Sequence, residues 1–72
     1  MPMMREQLVA LVEQMIDRGV RFEDAQREFE RTFLLCALTK TKFNVCKTAE
    51  VTGLHRNTVS RKMTEYRIRR TA

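Results

Sequence analysis

The sequence predicts an all-α protein of four helices, in which two dimerisation helices precede a helix-turn-helix. The 72 residues include only two glycines and one proline, so few residues interrupt a helix. Apolar residues recur at helical spacing, and the two glycines, Gly19 and Gly53, lie where such runs stop. A chain of this length forms one domain, with dimerisation helices at about 3–41 and the helix-turn-helix at about 44–67.

The first predicted helix begins near Pro2, which suits a first helical turn, and stops at Gly19. Its apolar residues form a wide stripe, namely Met4, Leu8, Val9, Leu11, Val12, Met15 and Ile16. A helix that packs on one neighbour buries a narrower stripe. The width therefore predicts contact with more than one neighbour.

The second helix is predicted from about Phe22 to Thr41, and it carries two apolar rows. The first row contains Phe22, Ala25, Phe29, Phe33, Cys36 and Ala37, and the second contains Leu34, Leu35 and Leu38. On the polar side, the spacing predicts surface ion pairs of Arg27 with Glu23 and with Glu30.

Only one of these rows can cover the chain's own third and fourth helices. The other row, with the stripe of the first helix, would face water in a monomer, and such contiguous apolar surface usually marks an interface. A symmetric homodimer with a four-helix core removes this exposure. The predicted interface residues are Leu8, Leu11, Val12, Met15, Phe29, Phe33 and Leu34. A monomer with a wide internal core is the alternative.

The helix-turn-helix is predicted from its local signals. Asn44 suits the N-cap of a third helix that runs to about Thr52. Gly53 then supplies the left-handed backbone of a tight turn, and Leu54 faces inward. Cys46, in the first turn of the third helix, is either a redox switch or an inert small side chain, whereas Cys36 is predicted to lie in the core.

The fourth helix is predicted from about Arg56 to Tyr66. Its inward residues are Val59, Met63 and Tyr66, and its outward residues are Arg56, Asn57, Ser60, Arg61 and Thr64, with Lys62 at the flank. The basic tail, residues 67–72, is predicted to be frayed.

The charge is divided unequally along the chain. Residues 1–38 hold five Arg against seven Asp or Glu, a net of −2, whereas residues 39–72 hold nine Lys or Arg against two Glu, a net of +7. The second half is therefore predicted to face a polyanion. Arginine forks match guanine edges and lysines neutralise phosphates, so double-stranded DNA is the predicted partner, with a merely solvated basic face as the alternative.

Other functional classes find little support. Two cysteines and one histidine lack zinc-like spacing, so no metal and no cofactor are predicted. No apolar run predicts a membrane span or a secretory signal, which favours a cytoplasmic, nucleoid location. The sequence contains no nucleophile–base pair and no phosphate-binding loop, so no enzymatic activity is predicted. Phe29, Phe33 and Phe43 could stack single-stranded bases, but their spacing beside leucines favours a core role.

Residues 29–68 resemble the Fis-type helix-turn-helix domain of the nucleoid protein Fis and of NtrC-type sigma-54 activators. The matching pieces are Glu28-Phe29-Glu30-Arg31, Ala37-Leu38, Asn44, Ala49, Gly53-Leu54, Arg56-Asn57-Thr58-Val59, Arg61-Lys62-Met63 and Tyr66. The resemblance implies a bacterial homodimer whose first two helices interlock and present two recognition helices to neighbouring major grooves.

The resemblance also implies roles for single residues. Arg56 would reach a base edge, with guanine as the expected base, and His55 and Thr58 would touch bases or phosphates. Arg61 and Lys62 match phosphate-binding positions, and Asn44 matches a backbone contact. The whole predicted DNA-binding set is Asn44, Lys47, His55, Arg56, Asn57, Thr58, Ser60, Arg61 and Lys62.

The sequence departs from the family pattern at four positions. Ser60 replaces a basic residue, which predicts weaker phosphate binding there. Thr48 and Thr52 stand at positions that are often apolar, which predicts looser packing of the third helix. Arg67 stands where the family commonly has glycine, which predicts that the fourth helix runs on.

The predicted function is therefore sequence-preferring binding of duplex DNA by a homodimer that regulates transcription or bends DNA in the nucleoid. The transcription machinery is a further candidate partner. Two alternatives remain: the isolated C-terminal domain of a sigma-54 activator, and a helical protein-interaction module without DNA binding. A start at Met1 and the chain's own dimerising helices favour a stand-alone protein over the isolated domain.

Overall fold

The computed structural model describes residues 3–70, and they form four helices in the predicted order. The helices are α1 (Met4–Asp17), α2 (Phe22–Lys40), α3 (Val45–Thr52) and α4 (Arg56–Glu65). The all-α prediction is confirmed, and α2 and α4 each end one residue before the predicted end. Pro2, the predicted start signal of the first helix, lies outside the described residues.

The core lies between the C-terminal half of α2, both later helices and the segment that follows α4. Its buried apolar side chains are Leu34, Leu38, Val59 and Ile68. Partly buried residues pack around them, namely Leu35, Phe43, Val45, Ala49, Leu54, Met63 and Tyr66. Helix α1 contributes no buried residue. The second half of α2 therefore holds the helix-turn-helix in place, while α1 and the first half of α2 stay open.

The two apolar rows of α2 differ in burial. The leucine row packs on α3 and α4, whereas Phe22, Phe29 and Phe33 are exposed. Leu34 is only 2% exposed, so it belongs to the chain's own core. Its prediction as a dimer-interface residue is therefore wrong for the single chain. Cys36 is exposed as well, so its prediction as a core residue is wrong for the single chain.

A hydroxyl pair lies inside the core at the position where looser packing was predicted. Thr48 is fully buried, and its Oγ1 lies 2.6 Å from that of Thr41. The hydroxyl of Thr52 donates to the carbonyl of Thr48 at 2.7 Å. Because a buried hydroxyl is costly only when it lacks a partner, Thr48 fits the core, and the predicted loosening is not seen there.

Helix α4 ends in a left-handed cap formed without glycine. Arg67 has φ 53°, its N–H donates to Thr64 at 3.2 Å, and the N–H of Ile68 donates to Met63 at 2.8 Å. These two bonds define a Schellman motif. Since Ile68 is 4% exposed, the motif folds the chain back onto the core. The predictions that the fourth helix runs on and that the tail is frayed are therefore wrong at Arg67 and Ile68.

We expect Arg67→Gly to stabilise the fold. A side chain in the left-handed region costs roughly 1–2 kcal/mol, and glycine avoids this cost but loses more entropy on folding. The net expected gain in unfolding free energy is about 0.5–1 kcal/mol. Urea denaturation measures it, and Arg69→Gly is the matched control because Arg69 has no positive φ. A loss of stability in Arg67→Gly equal to that of the control would contradict the assignment.

Candidate nucleic-acid interface

A short turn between α3 and α4 orients the two helices. Gly53 has φ 78°, and its N–H donates to the carbonyl of Ala49 at 2.9 Å. The next N–H, that of Leu54, donates to the Thr52 hydroxyl at 3.3 Å, and the Leu54 side chain packs against the core. The turn is therefore fixed by a glycine, a side-chain hydrogen bond and an apolar anchor, as the sequence predicted for Gly53 and Leu54.

His55 caps the N-terminus of α4. Its Nδ1 accepts a hydrogen bond from the Asn57 N–H at 3.1 Å, and its carbonyl accepts from Val59 at 3.0 Å. An accepting Nδ1 carries no proton, so the neutral ring carries its proton on Nε2. The exposed ring keeps that N–H available as a donor beside the helix N-terminus. His55 is therefore the N-cap of α4.

One face of α4 is exposed and basic. Val59 is fully buried and anchors the opposite face, together with Met63 and Tyr66. The exposed side chains of the predicted DNA-binding set on this helix are Arg56, Asn57, Ser60 and Arg61. Neither Arg56 nor Arg61 forms a salt bridge with any residue between 3 and 70. Both guanidinium groups are thus available to a ligand.

The N-terminus of α3 adds a second polar group to the set. The Asn44 side chain accepts a hydrogen bond from the Lys47 N–H at 3.0 Å, which confirms Asn44 as the N-cap. The side chains of Asn44 and Lys47 are exposed. Cys46 lies beside them, exposed and without a disulfide. The redox switch considered for Cys46 stays a hypothesis.

Two members of the predicted set are less open. Thr58 is partly buried on the flank of α4. Lys62 is partly buried as well, because its side chain turns towards α2, where its Nζ lies 3.0 Å from Glu30 Oε2. The Tyr66 hydroxyl donates to the same carboxylate oxygen, and the Lys62 ammonium lies 5.7 Å from the Tyr66 ring centroid. Lys62 therefore faces a carboxylate of its own chain.

The hydrogen bonds of Glu30 shift the pKa of its own carboxyl and that of the Tyr66 hydroxyl. The hydrogen bond from Tyr66, and then that from Lys62, lower the pKa of the Glu30 carboxyl below its usual value. The same carboxylate raises the pKa of Tyr66 to about 12, mainly because it accepts the hydrogen bond of the Tyr66 hydroxyl. Both shifts favour the state with Glu30 ionised and Tyr66 protonated, so the link between α2 and α4 is present at neutral pH.

The sequence did not reveal this link. The spacing predicted that Glu30 pairs with Arg27 on the same helix, but within residues 3–70 the salt bridge of Glu30 is with Lys62. Lys62 lies 32 positions along the chain, too far for a periodic signal. The inward face predicted for Tyr66 was the only available clue.

Residues 3–70 contain no group of three or more His, Cys, Asp or Glu side chains able to hold a metal ion. None of the helices in this range has the length and apolarity that crossing a membrane requires.

Comparison with known proteins gives one match. A family model described as bacterial regulatory protein, Fis family, matches residues 25–66, which is more than half of the chain. The match covers most of α2, both helices of the helix-turn-helix and the turn between them. Searches among curated proteins and among solved structures give no match.

Proposed function

We propose that this chain, which belongs to the Fis family of bacterial regulatory proteins, binds duplex DNA with sequence preference as a homodimer. Membership of the family makes it a helix-turn-helix DNA-binding regulator. In this proposal α4 enters the major groove, and residues 44–67 form the reading unit. Residues 3–41 form the pairing unit, and the location is the bacterial nucleoid. The role is regulation of transcription or bending of DNA.

The exposed start of α4 is the observation that carries the proposal. Recognition helices of this kind contact base edges with their N-terminal residues. Arg56 is the first residue of α4, exposed and free of salt bridges within residues 3–70, and His55 fixes the helix start beside it. Its planar guanidinium can donate two hydrogen bonds to O6 and N7 of one guanine. We assign Arg56 as the base reader.

The surrounding groups suit the DNA backbone. Arg61 lies on the same exposed face, and Asn44 and Lys47 lie at the start of α3. The basic half of the chain, with its net charge of +7, supplies the long-range attraction to phosphates. We assign these three side chains to phosphate contacts, with Asn57, Ser60 and Thr58 as shorter polar contacts around them.

The homodimer is proposed from the exposed apolar surface of α1 and α2. Leu8, Leu11 and Val12 remain exposed on α1, while Phe29 and Phe33 remain exposed on α2 with ring centroids 5.7 Å apart. Exposed apolar side chains in such number on two helices are typical of a protein–protein interface. A second copy would cover it and hold two α4 helices at a fixed spacing, so the site is expected to be palindromic. Closely spaced recognition helices would bend the DNA.

The experiment that tests the base reader compares Arg56→Ala with the natural chain. Selection from random duplexes first identifies the preferred site, and fluorescence anisotropy then measures binding to that site and to random DNA. We expect the change to cost about 1–3 kcal/mol on the preferred site and to relax the preference at one base pair of each half-site. Random DNA should lose much less affinity, because its binding depends on phosphates.

Arg61→Ala is the matched control on the same exposed face. It should weaken binding to both DNAs alike and flatten the slope of log K against log salt by about 0.9 per chain, as expected for one lost phosphate contact. Equal losses on preferred and random DNA for Arg56→Ala would refute its assignment as the base reader.

A protein-interaction module remains a second candidate, because the exposed face of α1 and α2 would serve it equally well. A salt titration separates the two functions. Strong binding to duplex DNA that weakens steeply with salt supports the DNA-binding regulator. Absence of binding at low salt would refute it in favour of the interaction module.

A further inference from the structure

Among residues 3–70, the salt bridge that joins α2 to α4 is the one between Glu30 and Lys62. The Oε2 of Glu30 lies 3.0 Å from the Lys62 ammonium and also accepts the hydroxyl of Tyr66. The Glu30 and Lys62 side chains are 33% and 22% exposed, so part of the pair is shielded from water. The ammonium also lies over the Tyr66 ring, 5.7 Å from its centroid. Glu30 thus gives Lys62 an oxygen ligand of the kind a DNA phosphate would give.

Lys62 and its neighbour Arg61 differ in this respect although they are adjacent in sequence. One residue turns a helix by about 100°. Arg61 therefore points away from the chain and is exposed, while Lys62 points towards α2 and is partly buried. A phosphate could attract Lys62 only by taking it from Glu30, which would leave the carboxylate with Tyr66 alone.

We propose that Glu30 is a positioning residue that acts as an internal substitute for a DNA phosphate, holding Lys62 against α2 and keeping its charge off the DNA backbone. Lys62 then joins α4 to the pairing helix instead of binding DNA. This inference rests on the proposed DNA-binding function.

Restraining one charge has a consequence for affinity. Phosphate contacts strengthen binding to every sequence, whereas base contacts strengthen binding to the preferred one. By withholding Lys62 from the backbone, Glu30 lowers affinity for preferred and random DNA alike. It also fixes α4 relative to α2, and thereby the direction in which Arg56 enters the groove.

The test measures the salt dependence of binding to random duplex DNA for the natural chain and four variants. Glu30→Gln should free Lys62 and steepen the slope of log K against log salt by about 0.9 per chain. Lys62→Met, which keeps an apolar stem, should leave the slope unchanged. The double variant Glu30→Gln with Lys62→Met should return to the natural slope, because the gain in Glu30→Gln comes from Lys62. Arg61→Met is the positive control and should flatten the slope by about 0.9 per chain.

The outcomes separate this inference from the function on which it rests. A slope flattened by Lys62→Met as much as by Arg61→Met shows that Lys62 contacts phosphate, and this overturns the inference alone. An unchanged slope in Glu30→Gln overturns it as well. Failure of the natural chain to bind duplex DNA at low salt overturns the proposed function and the inference together.

A second measurement tests the contact without DNA. Tyr66 is the only tyrosine and the chain has no tryptophan, so the absorbance of tyrosinate reports Tyr66 directly. Glu30 raises the pKa of Tyr66 to about 12 from the ordinary 10.0, and Glu30→Gln should bring it back towards 10.0. An ordinary pKa of Tyr66 in the natural chain, with its helical circular dichroism intact, would show that the link is absent and would overturn the inference.

Discussion

Phe33→Asp is expected to convert the protein into a folded monomer and to weaken its binding to the preferred DNA site by roughly 10²–10⁴-fold. The physical reason is the loss of bivalent binding, in which the first recognition helix to bind holds the second near its half-site. Phe33 is 50% exposed and contributes nothing to the buried core, so an aspartate there leaves the single chain intact. In a dimer, the same change places a charge inside an apolar interface, which is costly.

Sedimentation velocity measures the association state of this variant, and anisotropy measures its DNA affinity. Phe33→Leu is the matched control, because it keeps an apolar side chain and should remain dimeric. Unchanged helical circular dichroism shows that Phe33→Asp is folded. An Asp variant that remains a dimer would place the interface elsewhere, and a natural chain that is monomeric at every concentration would refute the proposed dimer.

The helix-turn-helix could be predicted from the sequence because its signals are local. Asn44 caps α3 through an amide three residues away, and Gly53 takes the left-handed conformation that ends it. His55 caps α4 two residues ahead of its partner. Each of these contacts lies within a few positions of its residue, so residue type and spacing are sufficient to locate both helices and the exposed face between Arg56 and Arg61.

The features that the sequence predicts wrongly depend on contacts between residues that lie far apart in the chain. The helical period of α2 does not decide which apolar row meets α3 and α4. The sequence therefore predicts Leu34 at the dimer interface, whereas Leu34 lies in the chain's own core. The partner of Glu30 comes from a helix 32 positions away. At Arg67 the burial of Ile68 against the core outweighs the preference of the left-handed region for glycine. In each case the packing of the core overrides a local preference.

Leu38→Ala is expected to have the largest effect on the fold. Leu38 is fully buried beside Val59, where α2 meets the recognition helix, and its carbonyl also accepts the N–H of Phe43 at 2.7 Å at the end of α2. Truncation of a buried leucine to alanine costs about 2–5 kcal/mol, depending on how far the cavity collapses. Since a domain of this size has a small stability margin, we expect the helix-turn-helix to lose its packing and DNA binding to disappear.

Urea denaturation followed by circular dichroism measures the loss, and Val51→Ala is the control. Val51 lies on α3 but is exposed, so the same kind of truncation should change the unfolding free energy by no more than about 0.5 kcal/mol. Because the lost energy comes from the chain's own core, Leu38→Ala should destabilise the monomeric Phe33→Asp variant as much as the natural chain. A Leu38→Ala cost as small as that of Val51→Ala in both backgrounds would show that the core is not where α2, α4 and Ile68 meet, and would remove the basis for the orientation of α4.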